Sequence, residues 1–313
     1  MGLGLNRRQI SLLILAICVL GGSLFYIRFF LARPMGVGPA GPEVGLEGFQ
    51  DVWSDRQVML LGLGDSVTSG FGADSPSHSY FQRIFQNPAD EFAEMQGKCL
   101  SSVLPNLRQT NLAISGSTSI QHLDRISSMK PFQKDTFGLV MITTGGNDII
   151  HNYGLSPPKE GAMYGATWQE AQPWIDNFRQ RLLQIISAIK TLFPGGCEIY
   201  LADIYDPTDG VGDAASIMLK YWQDGLKIHT AYNAIIREVC DSEADVYCVP
   251  LHANFLGHGS HCSQFWLDTY RHDDPTYWYY ENIEDPNDRG YDAIRRIFLR
   301  TIIENSRLRS TAN

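Results

Sequence analysis

With 313 residues, 44% of them hydrophobic, the chain is long enough for one substantial α/β domain plus appendages, and it carries no evident internal repeat. The formal charge is −9; residues 1–33 hold four arginines and no acid, so the remainder sets 21 basic residues against 34 acidic ones, or −13. Such a surface repels nucleic acid and anionic headgroups, which excludes a nucleic-acid-binding role and favours a neutral or cationic small-molecule ligand.

Arg7 and Arg8 precede an apolar run from Ile10 to Ile27, which Phe29, Phe30 and Leu31 extend past Arg28. A run of this length crosses a bilayer if Arg28 snorkels to the interface. A cleaved signal peptide is the competing reading, but no small-x-small site follows the apolar core, so an uncleaved signal anchor is expected. Residues 1–33 then form a cytoplasmic tip and a single transmembrane helix, with residues 10–31 in contact with lipid. The amino terminus with Arg7 and Arg8 outweighs Arg28 and Arg33, which sets the rest of the chain outside the cytoplasm, periplasmic or extracellular. Residues 34–50, rich in Gly and Pro, read as a flexible linker, and 51–313 as the folded domain.

Beyond the linker, strand and helix patterns alternate. The buried run Val58–Leu61 leads into Gly62-Leu63-Gly64-Asp65-Ser66, a turn before a helix. Helical stretches are expected over 79–95, 120–129, 174–192, 219–239 and 291–303, and strands end near Asn111 and Ile142 and cover 198–204 and 246–251. That alternation predicts a parallel sheet covered on both faces. The stretch 254–285 has no regular pattern and holds Tyr277-Trp278-Tyr279-Tyr280; it reads as a lid, or as aromatics packing over the domain edge.

Three small-residue turns close the first three strands: Gly64-Asp65-Ser66, Ser115-Gly116-Ser117 and Gly145-Gly146-Asn147-Asp148. Taken in this order they resemble the blocks of the SGNH (GDSL) hydrolases, lipases and acylhydrolases, from about Val58 to the last helix. The resemblance implies a three-layer sandwich with a central parallel sheet, flavodoxin-like in the SGNH manner, preceded here by the transmembrane helix. It further implies Ser66 as nucleophile, with the Gly116 N–H and the Asn147 amide as oxyanion donors. The residues suit those roles. A serine attack on an ester passes through a tetrahedral oxyanion that fixed donors stabilise, Gly116 permits close backbone approach, and Asn147 offers two N–H groups. Taken singly, Asp65-Ser66 is also an ordinary helix cap, Gly116 a turn glycine and Asn147 a cap.

The last block departs from the family. SGNH hydrolases close with Asp-x-x-His before the final helix, and here Asn282 and Asp285 hold those positions. A carboxylate near 3.9 is a poor base for a serine hydroxyl, whereas an imidazole near 6.5 is well matched. Three readings follow: another histidine serves, Asp285 acts as a weak base, or the domain is silent. Among the histidines His258, flanked by glycines, is the first choice, with His261 and His272 as alternatives, while His78 and His151 are expected to line the pocket.

Of six cysteines, Cys18 lies in the apolar run and the other five leave the pairing open. No cofactor is expected. His258, His261 and Cys262 lack a matching ligand pair elsewhere, so no metal is expected either. The function expected is a membrane-anchored serine esterase acting outside the cytoplasm through a Ser66 acyl-enzyme on a small-molecule, glycan or lipid ester. A silent carbohydrate- or lipid-binding module and a tethered structural protein are the alternatives, and the oligomeric state is left open.

Overall fold

The computed structural model describes residues 6–309. The start of the expected cytoplasmic tip and the last four residues of the 51–313 domain lie outside them. Helix α1, Arg7–Tyr26, opens on a capping box between Asn6 and Gln9. It runs on as a π turn, Ile27–Leu31. The two make one apolar rod of 25 residues, with an 18-residue stretch of mean hydropathy 2.5, none of it buried. At about 1.5 Å per residue it exceeds the roughly 30 Å of a bilayer core.

The linker is not a free tether. Arg289 Nη1 donates to the carbonyls of Val37, Gly38 and Pro39 at 2.8–2.9 Å, and the Ala40 N–H donates to Asp292 Oδ2 at 2.9 Å. Ala40 and Val44 are buried. Gly and Pro composition predicted flexibility; the buried side chains and the carbonyls taken up by Arg289 make it a strap instead.

Five strands, β1 Gln57–Leu63, β2 Leu107–Asn111, β3 Thr136–Ile142, β4 Cys197–Ala202 and β5 Val246–Val249, form one sheet in the order β2-β1-β3-β4-β5. Every pairing is parallel. The two-residue period of a strand divides its side chains between two cores. Val58, Leu60, Leu139, Met141, Tyr200 and Ala202 face one core, while Leu61, Leu63, Val140, Ile142, Ile199 and Leu201 face the other. Burial on both faces is why these strands read as continuous apolar runs.

The helices follow in chain order: α2 Ser66–Ser69, α3 Tyr80–Phe85, α4 Ser119–Ser127, α5 Gly146–Ile150, α6 Trp168–Leu192, α7 Gly225–Ser242, α8 Leu251–Phe255 and α9 Asp288–Asn305. The helix expected over 79–95 stops at Phe85 because Pro88 cannot continue it. Helix α6 begins before Trp174, at a capping box in which Thr167 Oγ1 accepts from Glu170 N at 3.3 Å and Glu170 Oε2 accepts from Thr167 N at 2.8 Å. Residues 219–224 are not helical, and α7 starts at Gly225.

Loop 254–285 forms no strand or helix beyond the end of α8, and three of its aromatics, Tyr277, Trp278 and Tyr279, are buried in the core. Packing over the domain edge, rather than a lid, is their role. All six cysteines are free.

Candidate active site

The order 2-1-3-4-5 reverses between β1 and β3, and ligands in such sheets bind at that switch, beyond the carboxyl ends of the strands. The turns after β1 and β3 carry Ser66 and Asn147. Gly64 makes the first turn possible: its φ is 156°, and a Cβ there would lie 2.5 Å from Thr143 Oγ1. Asp65 then caps α2, its Oδ1 accepting from Val67 N at 3.1 Å and from Thr143 Oγ1 at 2.8 Å. The cap and the candidate nucleophile are thus neighbours, with Ser66 as the first helical residue.

Gly145, with φ 95°, turns the chain from β3 into α5; a Cβ there would touch Ile204, Phe178 and Tyr232 at 3.1 Å. Asn147 follows, buried, with Nδ2 donating to the Ser117 carbonyl at 3.0 Å. That bond uses one of its two amide protons. Gly116 lies in the exposed turn Ile114–Ser117, with φ 78°, and does not line the cavity itself. His122 locks the second and third turns together: Nε2 meets Ser117 Oγ and Nδ1 meets Thr144 Oγ1, both at 2.8 Å. Burial lowers its pKa to about 3, so it is a neutral strut.

Above Ser66 stands the altered block. Asn282 Nδ2 donates to Asp285 Oδ2 at 2.6 Å, and Asn282 Oδ1 accepts from the Asp285 N–H at 3.2 Å. Asp285 is buried, and its other oxygen, Oδ1, has no closed hydrogen bond. The Ser66 side chain lies close enough to the carboxyl to draw its pKa down. Burial wins over that and the Asn282 bond, so the carboxyl is held above the usual range. Ile283, a β-branched residue with φ 71°, sits inside this turn. Such a backbone is strained and persists only where the surroundings impose it.

Two more acids share the space. Burial pushes Asp65 up to about 7 against the Thr143 hydrogen bond, and Asp285 adds to the rise. Burial and then Asp285 push Glu284 to about 7, opposed by the Tyr153 hydroxyl at 3.1 Å. Asp285 thus adds to the rise at both neighbours, and burial holds all three carboxyls above the usual range.

Asp65, Ser66, Asn147, Asn282, Glu284 and Asp285 line one cavity of about 200 Å³, whose wall is mostly apolar: Ile149, Ile150, Ile204, Ile217, Leu219 and Trp222 among others. No lysine or arginine lines it.

The structure brings Ser66, Asn147, Asn282 and Asp285 together; it does not bring His258, His261 or His272 to them. The His258 ring stacks on Trp278 at 3.4 Å, with Nδ1 3.0 Å from the Thr276 carbonyl. His261 Nε2 pairs with Asp213 at 2.8 Å, and His272 is exposed beside Tyr270. None of the three lines the cavity, because the loop that carries them turns its aromatics into the core. His151 lies outside the lining too. His78 bridges Asp288 at 2.7 Å and Asp90 at 3.1 Å, in a group with Asp74 whose charge Arg83 shares.

The histidine that does line the cavity is His229, which sequence reading missed. Its Nε2–H donates to the Ile204 carbonyl at 2.8 Å. One signal was available: the first turns of a helix that follows a strand in a parallel sheet lie at the carboxyl edge, so a polar residue early in α7 belongs to the crevice.

Residues 63–293 match the model of the GDSL-like lipase/acylhydrolase family. Among solved structures, a catalytic mutant of an acetylxylan esterase from Geobacillus stearothermophilus aligns at 19% identity and TM-score 0.50, over 85% of this chain and 98% of that one. A lipase from a goat rumen metagenome aligns at 13% identity and TM-score 0.48, over 80% and 99%. A lipolytic G-D-S-L family protein from Veillonella parvula aligns at 12% and 0.47, over 79% and 100%. No curated protein sequence matches.

Proposed function

The chain belongs to the GDSL-like lipase/acylhydrolase family, and from that premise we propose a membrane-anchored serine ester hydrolase in which Asp285, in the family's histidine position, takes the proton of Ser66. The observation that supports this is the buried Asp285 carboxyl beside the Ser66 side chain in one cavity, with its Oδ1 left without a hydrogen-bond partner. Catalytic hydrogen bonds are often long before substrate arrives.

In this reading Ser66 Oγ attacks the ester carbon as its proton passes to Asp285. The carbonyl oxygen becomes an oxyanion, held by the Ser66 N–H and the free Asn147 amide proton. Collapse breaks the ester C–O bond, and Asp285 returns the proton to the leaving alkoxide. Water repeats the sequence on the acyl-enzyme and releases the carboxylic acid. Asn282 holds Asp285 by Oδ2, which leaves Oδ1 free to take the proton. A carboxyl raised by burial is a better base near neutral pH than one at 3.9. The acid-lined, cation-free cavity suits a neutral ester and repels the carboxylate product.

Residues 7–31 supply the anchor in this reading, with Arg7 and Arg8 in the cytoplasm and the domain outside it. Protein that stays in the membrane fraction after carbonate washing, with a domain open to external protease, fits the anchor; a soluble form beginning within 34–48 would mean a cleaved signal.

The second reading, a silent binding module, is favoured by the loss of both the aspartate and the histidine of the family's last block. A fluorophosphonate probe on the full chain decides between them. Labelling at Ser66, lost with ester turnover in Ser66→Ala, supports the enzyme. Turnover unchanged in Ser66→Ala would sink it, and neither labelling nor turnover in the parent favours the module.

A further inference from the structure

The residue that leaves the apolar helix touches the wall of the cavity. Arg33 donates to the Ser216 carbonyl and lies over the Tyr277 ring at 5.2 Å. The Tyr277 N–H donates to the Pro34 carbonyl at 2.8 Å. Ser216 belongs to the turn Ala214–Ile217, and Ala214, Ile217 and Leu219 line the cavity. Two residues of chain, Leu31 to Arg33, reach at most about 7 Å, and the headgroup layer is about 5–7 Å deep on each side of a bilayer. If Arg7–Leu31 spans the membrane, Ser216 stands at headgroup depth. The strap held by Arg289 and Asp292 keeps the domain from swinging away.

The surface around that contact is apolar. Trp266 packs on Phe25 and Phe29 at 5.7 and 5.3 Å, yet Phe265 and Trp266 stay 57% and 42% exposed. On the cavity side of Ser216, Met218 and Tyr221 are 77% and 78% exposed. Lys220, between them, donates to the Gly154 carbonyl at 3.1 Å and so draws in Leu155, 82% exposed. Exposed apolar side chains gathered in one region mark an interaction surface, and aromatics at the end of a spanning helix favour the membrane interface. The net −13 of residues 34–313 leaves attraction to anionic headgroups no part in this contact, so its chemistry is apolar.

Resting on the hydrolase and anchor readings above, we propose that Leu155, Met218, Tyr221, Phe265 and Trp266 form a second bilayer contact. It seats the cavity mouth on the leaflet the helix leaves, and the ester hydrolysed is a long-chain acyl lipid taken from that leaflet rather than a soluble acetylated sugar. The apolar wall of Ile217, Leu219 and Ile150 accepts the acyl chain.

The test uses the full chain in phosphatidylcholine vesicles. A tryptophan placed at the rim by Met218→Trp should be quenched by lipids brominated on the acyl chain near the headgroup; no added quenching overturns the seat. This readout needs no activity, so it stands even if Ser66 proves inert. For the substrate, Met218→Asp with Tyr221→Asp should slow hydrolysis of a long-chain ester dissolved in the bilayer by about tenfold or more, while a water-soluble short-chain ester is turned over as before. Equal loss on both esters, or none on either, overturns the claim that the lipid enters from the leaflet. A parent that hydrolyses neither ester while Met218→Trp is quenched refutes the hydrolase reading and leaves the seat intact.

Discussion

Asn282 and Asp285 hold each other at both ends, amide to carboxylate at 2.6 Å and backbone N–H to amide oxygen at 3.2 Å. This closed pair occupies the place where an aspartate orients a histidine in the family, with each role moved to a different side chain. The acid that faces Ser66 is positioned by a neutral amide, so its own negative charge is the only one the pair brings to the hydroxyl.

Replacing Asp285 therefore separates the readings of the base. Asp285→Asn keeps the shape and removes the proton acceptor; turnover should fall by about 1000-fold or more, on the scale of a lost triad member. Activity of the parent should rise with pH along a limb lying above the 3.9 of a free carboxylate, because burial raises Asp285. A limb that hardly moves with temperature identifies a carboxyl, since imidazole ionisation carries a large heat. His258→Ala should leave turnover unchanged; a large loss there would restore a histidine base.

Asn147→Ala should keep the fold and lower turnover by about 100- to 1000-fold, the usual loss for one oxyanion donor. Steady-state kinetics should show the loss in kcat, with KM little changed, because the donor acts on the transition state.

Asp65 couples the site to stability. Its native pKa, about 7, lies above its ordinary 3.8, so the folded state binds the proton more tightly than the unfolded one. The stabilisation this brings is complete below about 4 and is lost as pH rises through about 7. Asp65→Asn, which keeps an N-cap, should gain thermal stability relative to the parent at pH 8 and lose that advantage at pH 4. A difference independent of pH would show that Asp65 has the same pKa in the folded and unfolded states.

The strap rests on Arg289, whose Nη1 serves three consecutive carbonyls. Arg289→Ala should expose residues 34–48 to limited proteolysis, seen as a faster cut between helix and domain by mass spectrometry. Unchanged cleavage kinetics would mean that Ala40 and Val44 hold the strap without it.

Much of this was legible in the chain. Gly64-Asp65-Ser66, Ser115-Gly116-Ser117 and Gly145-Gly146-Asn147 are local devices: each demands a backbone that few residues adopt and each follows a strand, the first and third of them buried on both faces, so spacing puts them on one edge of a parallel sheet. The apolar rod Arg7–Leu31 is legible for the same reason, since length and composition are its whole content. What pairs with Ser66 is another matter. His258 and Asp285 both lie in or beside the long loop after β5, and nothing local distinguishes the one that turns toward the cavity. That was decided by Trp278 and its neighbours entering the core and taking His258 with them, and by Asn282 closing on Asp285. The strap likewise looks flexible by composition and becomes ordered only because α9 presents Arg289 and Asp292 to it. Glycine-dependent turns and apolar periods act over a few residues and can be read from them; burial of a loop, and the pKa values it raises, depend on partners distant in the chain and exist only once the tertiary structure has formed.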